Sequence, residues 1–146
     1  MTSTDNASYD DNNIFARIIR GEIPAIKVFE DDTVLVMMDI FPQSKGHTLV
    51  IPKAASRNIL DAEPDAVAKA ATYLPRLARA VKAATGADGV RLMQFNEAPA
   101  GQSVFHLHFH LIPVYEGVAM RGHAGREKAD DGELRELAAA IAGHLK

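Results

Sequence analysis

The sequence predicts an α+β domain, a mainly antiparallel sheet of five strands with helices packed beside it. Strand-like runs outnumber helical ones, and several are joined by turns too short for the crossover that parallel neighbours need. The 146 residues suffice for one core, because a chain near this length takes roughly 68–70% of its unfolded surface out of water. The expected organisation is a polar, acidic lead-in over 1–13 without fixed structure, then one domain over 14–146 whose last part, 113–146, is an extension carrying a helix.

Ile14, Phe15, Ile18 and Ile19 share one face of a short helix, which Gly21 stops. The runs 27–30 and 33–38 read as a hairpin turning at Asp31-Asp32, and 47–51 as a strand opened by Lys45-Gly46 and closed by Pro52. From Asp61 to Thr85 the apolar positions Val67, Ala70, Leu74, Leu77, Val81 and Ala84 keep one helical stripe, which makes this the longest helix. Pro75 inside it removes a backbone donor and crowds the carbonyl of Ala71, so a kink is expected there. Gly86 and Gly89 precede a strand over 90–95, and a loop through Pro99 and Gly101 leads to a strand over 103–112. Asp130 and Glu133 form a capping-box pattern ahead of Leu134, Leu137, Ala138, Ile141 and Leu145 on one helix face.

Composition removes several classes of function. With 16 Lys and Arg against 19 Asp and Glu, a net charge of −3 does not suit broad phosphate neutralisation, so nucleic acid is not an expected partner. No apolar run approaches the roughly 20 residues that span a bilayer, and no membrane partner is expected. The absence of cysteine excludes disulfides, thiolate metal sites and a cysteine nucleophile, and fits a cytoplasmic location. Met1 to Asn13 lacks the basic and apolar regions of a secretory signal.

The chemistry concentrates in Phe105-His-Leu-His-Phe-His-Leu111, a strict alternation of apolar residues and imidazoles. On a strand, His106, His108 and His110 share one face while Phe105, Leu107, Phe109 and Leu111 enter the core. Solvation of a strand face does not demand one residue type three times. Two sharper readings remain. A metal could take two of these histidines, but Cα atoms of His106 and His110 lie roughly 13 Å apart at strand rise, too far for three nitrogens to meet one ion. A third ligand would come from His47, His123, His144 or a carboxylate, and no spacing selects one. The other reading is nucleophilic attack at phosphorus by the central His108, whose neutral imidazole needs no strong auxiliary base. Gly101-Gln102-Ser103 then offers a flexible turn, an amide and a hydroxyl suited to phosphate oxygens.

At these residues the chain resembles the histidine triad family of nucleotide hydrolases and transferases, whose signature is His-x-His-x-His-x-x with apolar x. Ile14-Phe15 with Ile18-Ile19, Asp39-Ile40, Lys45-Gly46-His47 through Pro52, and Asn96 occur in the family's order, so the resemblance covers residues 13 to 113. It implies that His108 attacks the α-phosphorus of a nucleotide conjugate, that His110 holds phosphate oxygens, and that His106 supports the nucleophile. Ser103 and Gln102 would contact phosphate and leaving group, Asn96 and Gly101 would line the same pocket, and His47 would stand as a fourth histidine beside the triad. Asp39 would accept from ribose hydroxyls, and Ile14, Phe15, Ile18, Met37 and Leu49 would form an apolar slot for a purine. The expected ligand is a purine nucleotide or its conjugate, no metal or other cofactor is required, and a homodimer is implied.

Two departures narrow the resemblance. Some bacterial relatives bind structural zinc through cysteines near the first helix, and this chain has Ala16 there and no cysteine. The purine nucleoside phosphoramidase branch ends sooner and carries a C-terminal tryptophan, which is absent. Phosphoramidates, dinucleoside polyphosphates and other conjugates therefore stay open, while His110 disfavours the uridylyltransferase branch. The expected function is hydrolysis releasing a nucleoside monophosphate through a nucleotidyl-histidine. The alternative is a purine-nucleotide sensor or interaction module with incidental turnover.

Overall fold

The computed structural model describes residues 8–120 and 127–146. It contains helix α1 (Ile14–Ile19), strands β1 (Lys27–Glu30), β2 (Val34–Met38) and β3 (Thr48–Pro52), then helices α2 (Pro64–Ala71) and α3 (Leu74–Thr85). Strand β4 (Gly89–Met93), strand β5 (Phe109–Val114) and helix α4 (Asp131–Gly143) complete it, with short 3-10 turns at Ile59–Asp61 and Ala98–Ala100. The five strands form one sheet in the order β1-β2-β3-β5-β4, and every neighbouring pair is antiparallel. The α+β architecture and the strand number are as the sequence predicts.

Strand periodicity divides the interior. Val34, Val36 and Met38 of β2, Val50 of β3 and Phe109 and Leu111 of β5 face a layer built from Leu74, Leu77, Ala80 and Val81 of α3 and Leu134, Leu137 and Ile141 of α4. The intervening residues Leu35, Met37, Leu49 and Ile51 form a second cluster with Phe15 and Ile18 of α1. β2 and β3 are buried along their whole length because helices cover both faces. The first cluster supplies the core, and the second becomes the floor of the site.

Local chemistry explains most boundaries. Asn13 caps α1 by accepting from the amide of Ala16, and Gly21 at φ +82° ends the turn that follows. Asp31 Oδ1 accepts from the amides of Thr33 and Val34, so an aspartate turn closes the β1–β2 hairpin without a glycine. Asp130 accepts from the Glu133 amide and starts α4. Gly46 has φ +96°, and a Cβ there would sit 2.5 Å from Thr85 Cγ2, so only glycine lets this turn pass beneath the end of α3.

The structure corrects three expectations. Pro75 does not kink one long helix. It sits in the first turn of α3, after α2 has ended at Ala71, and there its missing N–H costs nothing. The last strand begins at Phe109, not Ser103, so the imidazole alternation starts before the sheet. The lead-in is ordered over 8–13: Asn13 donates from its amide and Nδ2 to the Asp10 carbonyl, and Arg20 Nη1 donates to that of Asp11. Residues 1–7, and His123 in the extension, lie outside the described residues. His144 is exposed at the C-cap of α4, away from the other histidines in role.

Candidate active site

A cavity of about 290 Å³ opens between α1 and the second cluster. Ile14, Phe15 and Ile18 form one wall, Met37 and Leu49 the floor, and Asp39, Ser103, His108 and His110 gather among its polar lining. Nine of the residues expected to form the site thus line one cavity, although they come from four separate segments. Ile23, Pro24, Ala25, Ile26, Met38, Ile40, Phe41 and Val104 also line it, and sequence reading did not find them. Residues 23–26 carry no motif and would pass as a linker. Ile14, Ile40 and Phe41 are half-exposed, which suits hydrocarbon waiting for an apolar ligand at a pocket mouth.

His108 stands at the centre, 7% exposed. The edge of Phe15 packs against it at 89° with centroids 4.9 Å apart, and His110 lies at the same distance on another side. His108 Nδ1 is 2.6 Å from the carbonyl oxygen of His106. A carbonyl can only accept, so Nδ1 carries the proton and Nε2 holds the lone pair. Nε2 makes no hydrogen bond among the described residues. Burial lowers the pKa of His108 to about 4, against a smaller raising effect of the bond to His106, so the ring is neutral at physiological pH.

The same logic assigns the other rings. The amide of Gln43 donates to His47 Nδ1 at 3.0 Å, which leaves the proton on His47 Nε2. That Nε2 donates to His110 Nδ1 at 2.9 Å and also lies 3.5 Å from Asp39 Oδ2. His110 therefore carries its proton on Nε2. His47 is fully buried, so one backbone amide propagates a single tautomer through two rings toward the cavity. Register contributes too: His110 pairs with Leu49 on β3 and Met93 on β4, which holds its backbone from both sides.

Asp39, His47 and His110 bring ligand atoms within 4.8 Å of one another, a spacing a cation would accept. The tautomer opposes it. Ligation by His47 Nε2 would move its proton to Nδ1, where it would meet the Gln43 N–H. The donor set therefore fits hydrogen-bond relay better than metal ligation.

His106 occupies a different place from that expected. It precedes the strand, does not line the cavity, and is 1% exposed with Nε2 on the Pro52 carbonyl at 2.7 Å and Nδ1 on the Tyr9 hydroxyl at 2.6 Å. Burial lowers its pKa, so it too is neutral. Phe105, placed in the core by the alternation, instead lies under the Arg57 guanidinium, 4.1 Å from the ring centroid. Leu107 is buried as expected, although its amide bonds the carbonyl of Ser56 and not a sheet partner.

Gln102 does not reach the cavity. Its Oε1 accepts from Asn58 Nδ2 and the Glu97 amide, and its Nε2 donates to the carbonyls of Arg57 and Val104. All four capacities of the amide are filled, so none is left for phosphate. Asn96 likewise bonds the Ile59 amide and pairs with the Gln94 side chain, outside the cavity lining. Gly101, at φ +111° with Phe95 3.4 Å from its absent Cβ, shapes the turn and does not line the cavity. These three brace the loop that delivers Ser103. The brace extends through Glu97, whose carboxylate takes two bonds from Arg57 and one from Asn58 and whose own φ is +79°. A glutamate held in that conformation marks a loop fixed by its partners.

Comparison with known proteins bears on the family and the fold. A HIT domain matches residues 20–117. "Protein hit" of Bacillus subtilis is 38% identical over 140 residues, covering 92% of this chain and 95% of the relative. "Adenylylsulfatase HINT3" of Arabidopsis thaliana is 33% identical, covering 97% of this chain and 73% of the relative. The crystal structure of a Hit-like protein involved in cell-cycle regulation from Bartonella henselae superposes with a TM-score of 0.86 at 47% identity, over 94% of this chain and 99% of that one. With a matching domain, full-length relatives and a shared fold, the chain belongs to the histidine triad (HIT) family.

Proposed function

We propose that this protein hydrolyses a purine nucleotide conjugate by covalent catalysis at His108. The observation that carries the reading is the tautomer of His108: Nδ1–H held by a carbonyl, with a neutral Nε2 beside the cavity. In the first step Nε2 forms a bond to the α-phosphorus while the bond from phosphorus to the leaving group breaks, and the leaving group takes a proton from solvent or through the Ser103 hydroxyl. The ring becomes cationic on phosphorylation, and its Nδ1–H bond to the His106 carbonyl strengthens as that charge appears. The Nε2–H of His110 donates to the nonbridging oxygens, and such a preorganised donor is typically worth about 3–4 kcal/mol in the transition state. Water then attacks phosphorus, releasing the nucleoside monophosphate and restoring His108.

The apolar walls support a flat base as occupant, and Asp39 at the polar end is suited to ribose hydroxyls. Phosphorus–nitrogen, ester and anhydride conjugates all suit this chemistry. The Arabidopsis relative is called an adenylylsulfatase, which brings adenylyl sulfate into the comparison. A homodimer is also part of the reading: β4 is an edge strand, and Leu92 on it is 53% exposed. No helix among the described residues is long and apolar enough to cross a membrane.

The test compares catalytic efficiencies on adenosine and guanosine phosphoramidates, adenylyl sulfate and dinucleoside polyphosphates, with acid-quench mass spectrometry for a nucleotidyl adduct on His108. Turnover with the adduct on His108 supports the reading. Nucleotide binding with no turnover of any of these compounds sinks it in favour of a sensor.

A further inference from the structure

We propose that Tyr9 is a positioning residue for His108: its hydroxyl locks the imidazole of His106, whose backbone carbonyl holds the nucleophile. The proposal rests on the His108 reaction above and extends it to a segment outside the cavity and before the matched domain.

His106 touches none of the cavity, so its imidazole is not there for a ligand. Its ring is instead gripped at both nitrogens. Nε2–H donates to the Pro52 carbonyl at the end of β3, which leaves Nδ1 as a bare acceptor in a nearly fully buried ring. The Tyr9 hydroxyl supplies the donor at 2.6 Å, and the two rings meet edge to face at 5.6 Å and 63°. Burial raises the tyrosine above its usual pKa, so the phenol stays protonated.

Tyr9 is itself held by structure that serves the site. The turn over 10–13 is fixed by Asn13 on the Asp10 carbonyl, by the Asn12 amide on Asp10 Oδ1, and by Arg20 on the Asp11 carbonyl. Asn13 also caps α1, whose Phe15 packs on His108. The same short segment therefore reaches the nucleophile twice, once through the ring of Phe15 and once through Tyr9 and the backbone of His106. A ring fixed at both ends restrains the residue that carries it, and the 2.6 Å bond from His108 Nδ1 to the His106 carbonyl passes that restraint to the reacting atom. Removing the hydroxyl leaves a buried acceptor without a partner, a state the ring relieves by shifting.

The test is Tyr9→Phe in the full chain, which keeps the aromatic cover and removes only the hydroxyl. Histidine-selective ¹⁵N NMR of the unliganded protein reads His106 and His108 independently of turnover. Expected are a shift of His106 Nδ1 away from its hydrogen-bonded position and a changed or broadened His108 Nδ1–H signal. On adenosine phosphoramidate kcat falls about tenfold with KM within about twofold, a modest share of what ångström-scale misplacement costs. In a His106→Leu background Tyr9→Phe has no further effect, because the two act in series. An unchanged His108 signal in Tyr9→Phe overturns the proposal, as does unchanged kcat in a protein that turns over. If the parent protein acts on none of the conjugates, the hydrolase reading fails and the His108 NMR signal alone decides the role of Tyr9. Should His106→Leu not fold, the single variant still gives both answers.

Discussion

Acidification is the perturbation that most directly probes the proposed nucleophile. An ordinary imidazole with a pKa near ~6.5 is only about half neutral at pH 6.5, whereas His108, with burial lowering its pKa to about 4, is neutral well into the acid range. At pH 5 the neutral fraction of an ordinary histidine is about 4% of its value at pH 7, while that of His108 is about 90%. If only the neutral ring attacks, kcat/KM stays nearly flat from pH 7 to pH 5 and declines tenfold per pH unit only below about 4. The assay is initial-rate hydrolysis of a chromogenic nucleoside phosphodiester, whose single phosphate acid is ionised throughout, with NMR titration of the His108 ring in parallel. A half-maximal acid limb near pH 6.5 that tracks His108 would refute the argument. Stability carries the same sign. Between about pH 6.5 and 4 the unfolded state binds a proton at this position that the native state does not, so stability falls as pH drops, by about 3 kcal/mol in total. His106 is shifted in the same direction by burial and adds to that loss.

Further outcomes follow from the site. His108→Ala should reduce hydrolysis by about a thousandfold or more while isothermal titration finds nucleoside monophosphate affinity within about threefold. His47→Leu preserves bulk but removes the donor that fixes His110, and kcat should fall about a hundredfold as the Nε2 proton loses its assignment. Gly101→Ala forces a side chain into φ +111° against Phe95 and should lower Tm by about 3–6 °C, read by calorimetry. Protein stripped of metal and verified by elemental analysis should keep full activity in chelator, since the Gln43 amide holds His47 in a tautomer that does not ligate through Nε2.

Much of the fold was legible because it follows from local rules. The short apolar, β-branched runs of β2 and β3, the three-to-four spacing of Leu134, Leu137, Ala138 and Ile141, and Asp130 as a cap need no distant partner to be read. The triad itself was visible because alternation is a short-range signal. The same signal overreached at Phe105 and His106, which pair with no strand among the described residues and answer to Arg57, Pro52 and Tyr9 instead. Gln102 and Asn96 show the limit from the other side: an amide near the histidine strand looks like a ligand contact until the partners that saturate it are known.

The sequence by itself determined the composition of the chemistry, which is imidazole without thiol and a serine just ahead of the triad, while the apolar slot and Asp39 beside it were only what the family resemblance implies. It also determined the α+β class, because hydrophobic periodicity acts over a few residues. Tertiary structure decided which nitrogen of His47, His106, His108 and His110 bears the proton. That choice depends on a carbonyl of His106, an amide of Gln43 and a hydroxyl of Tyr9, the last of which lies 97 positions away from the ring it holds. Imidazole has two equivalent-looking nitrogens and no local preference strong enough to choose between them, so only the partners that folding brings within hydrogen-bond distance decide which of them keeps its lone pair.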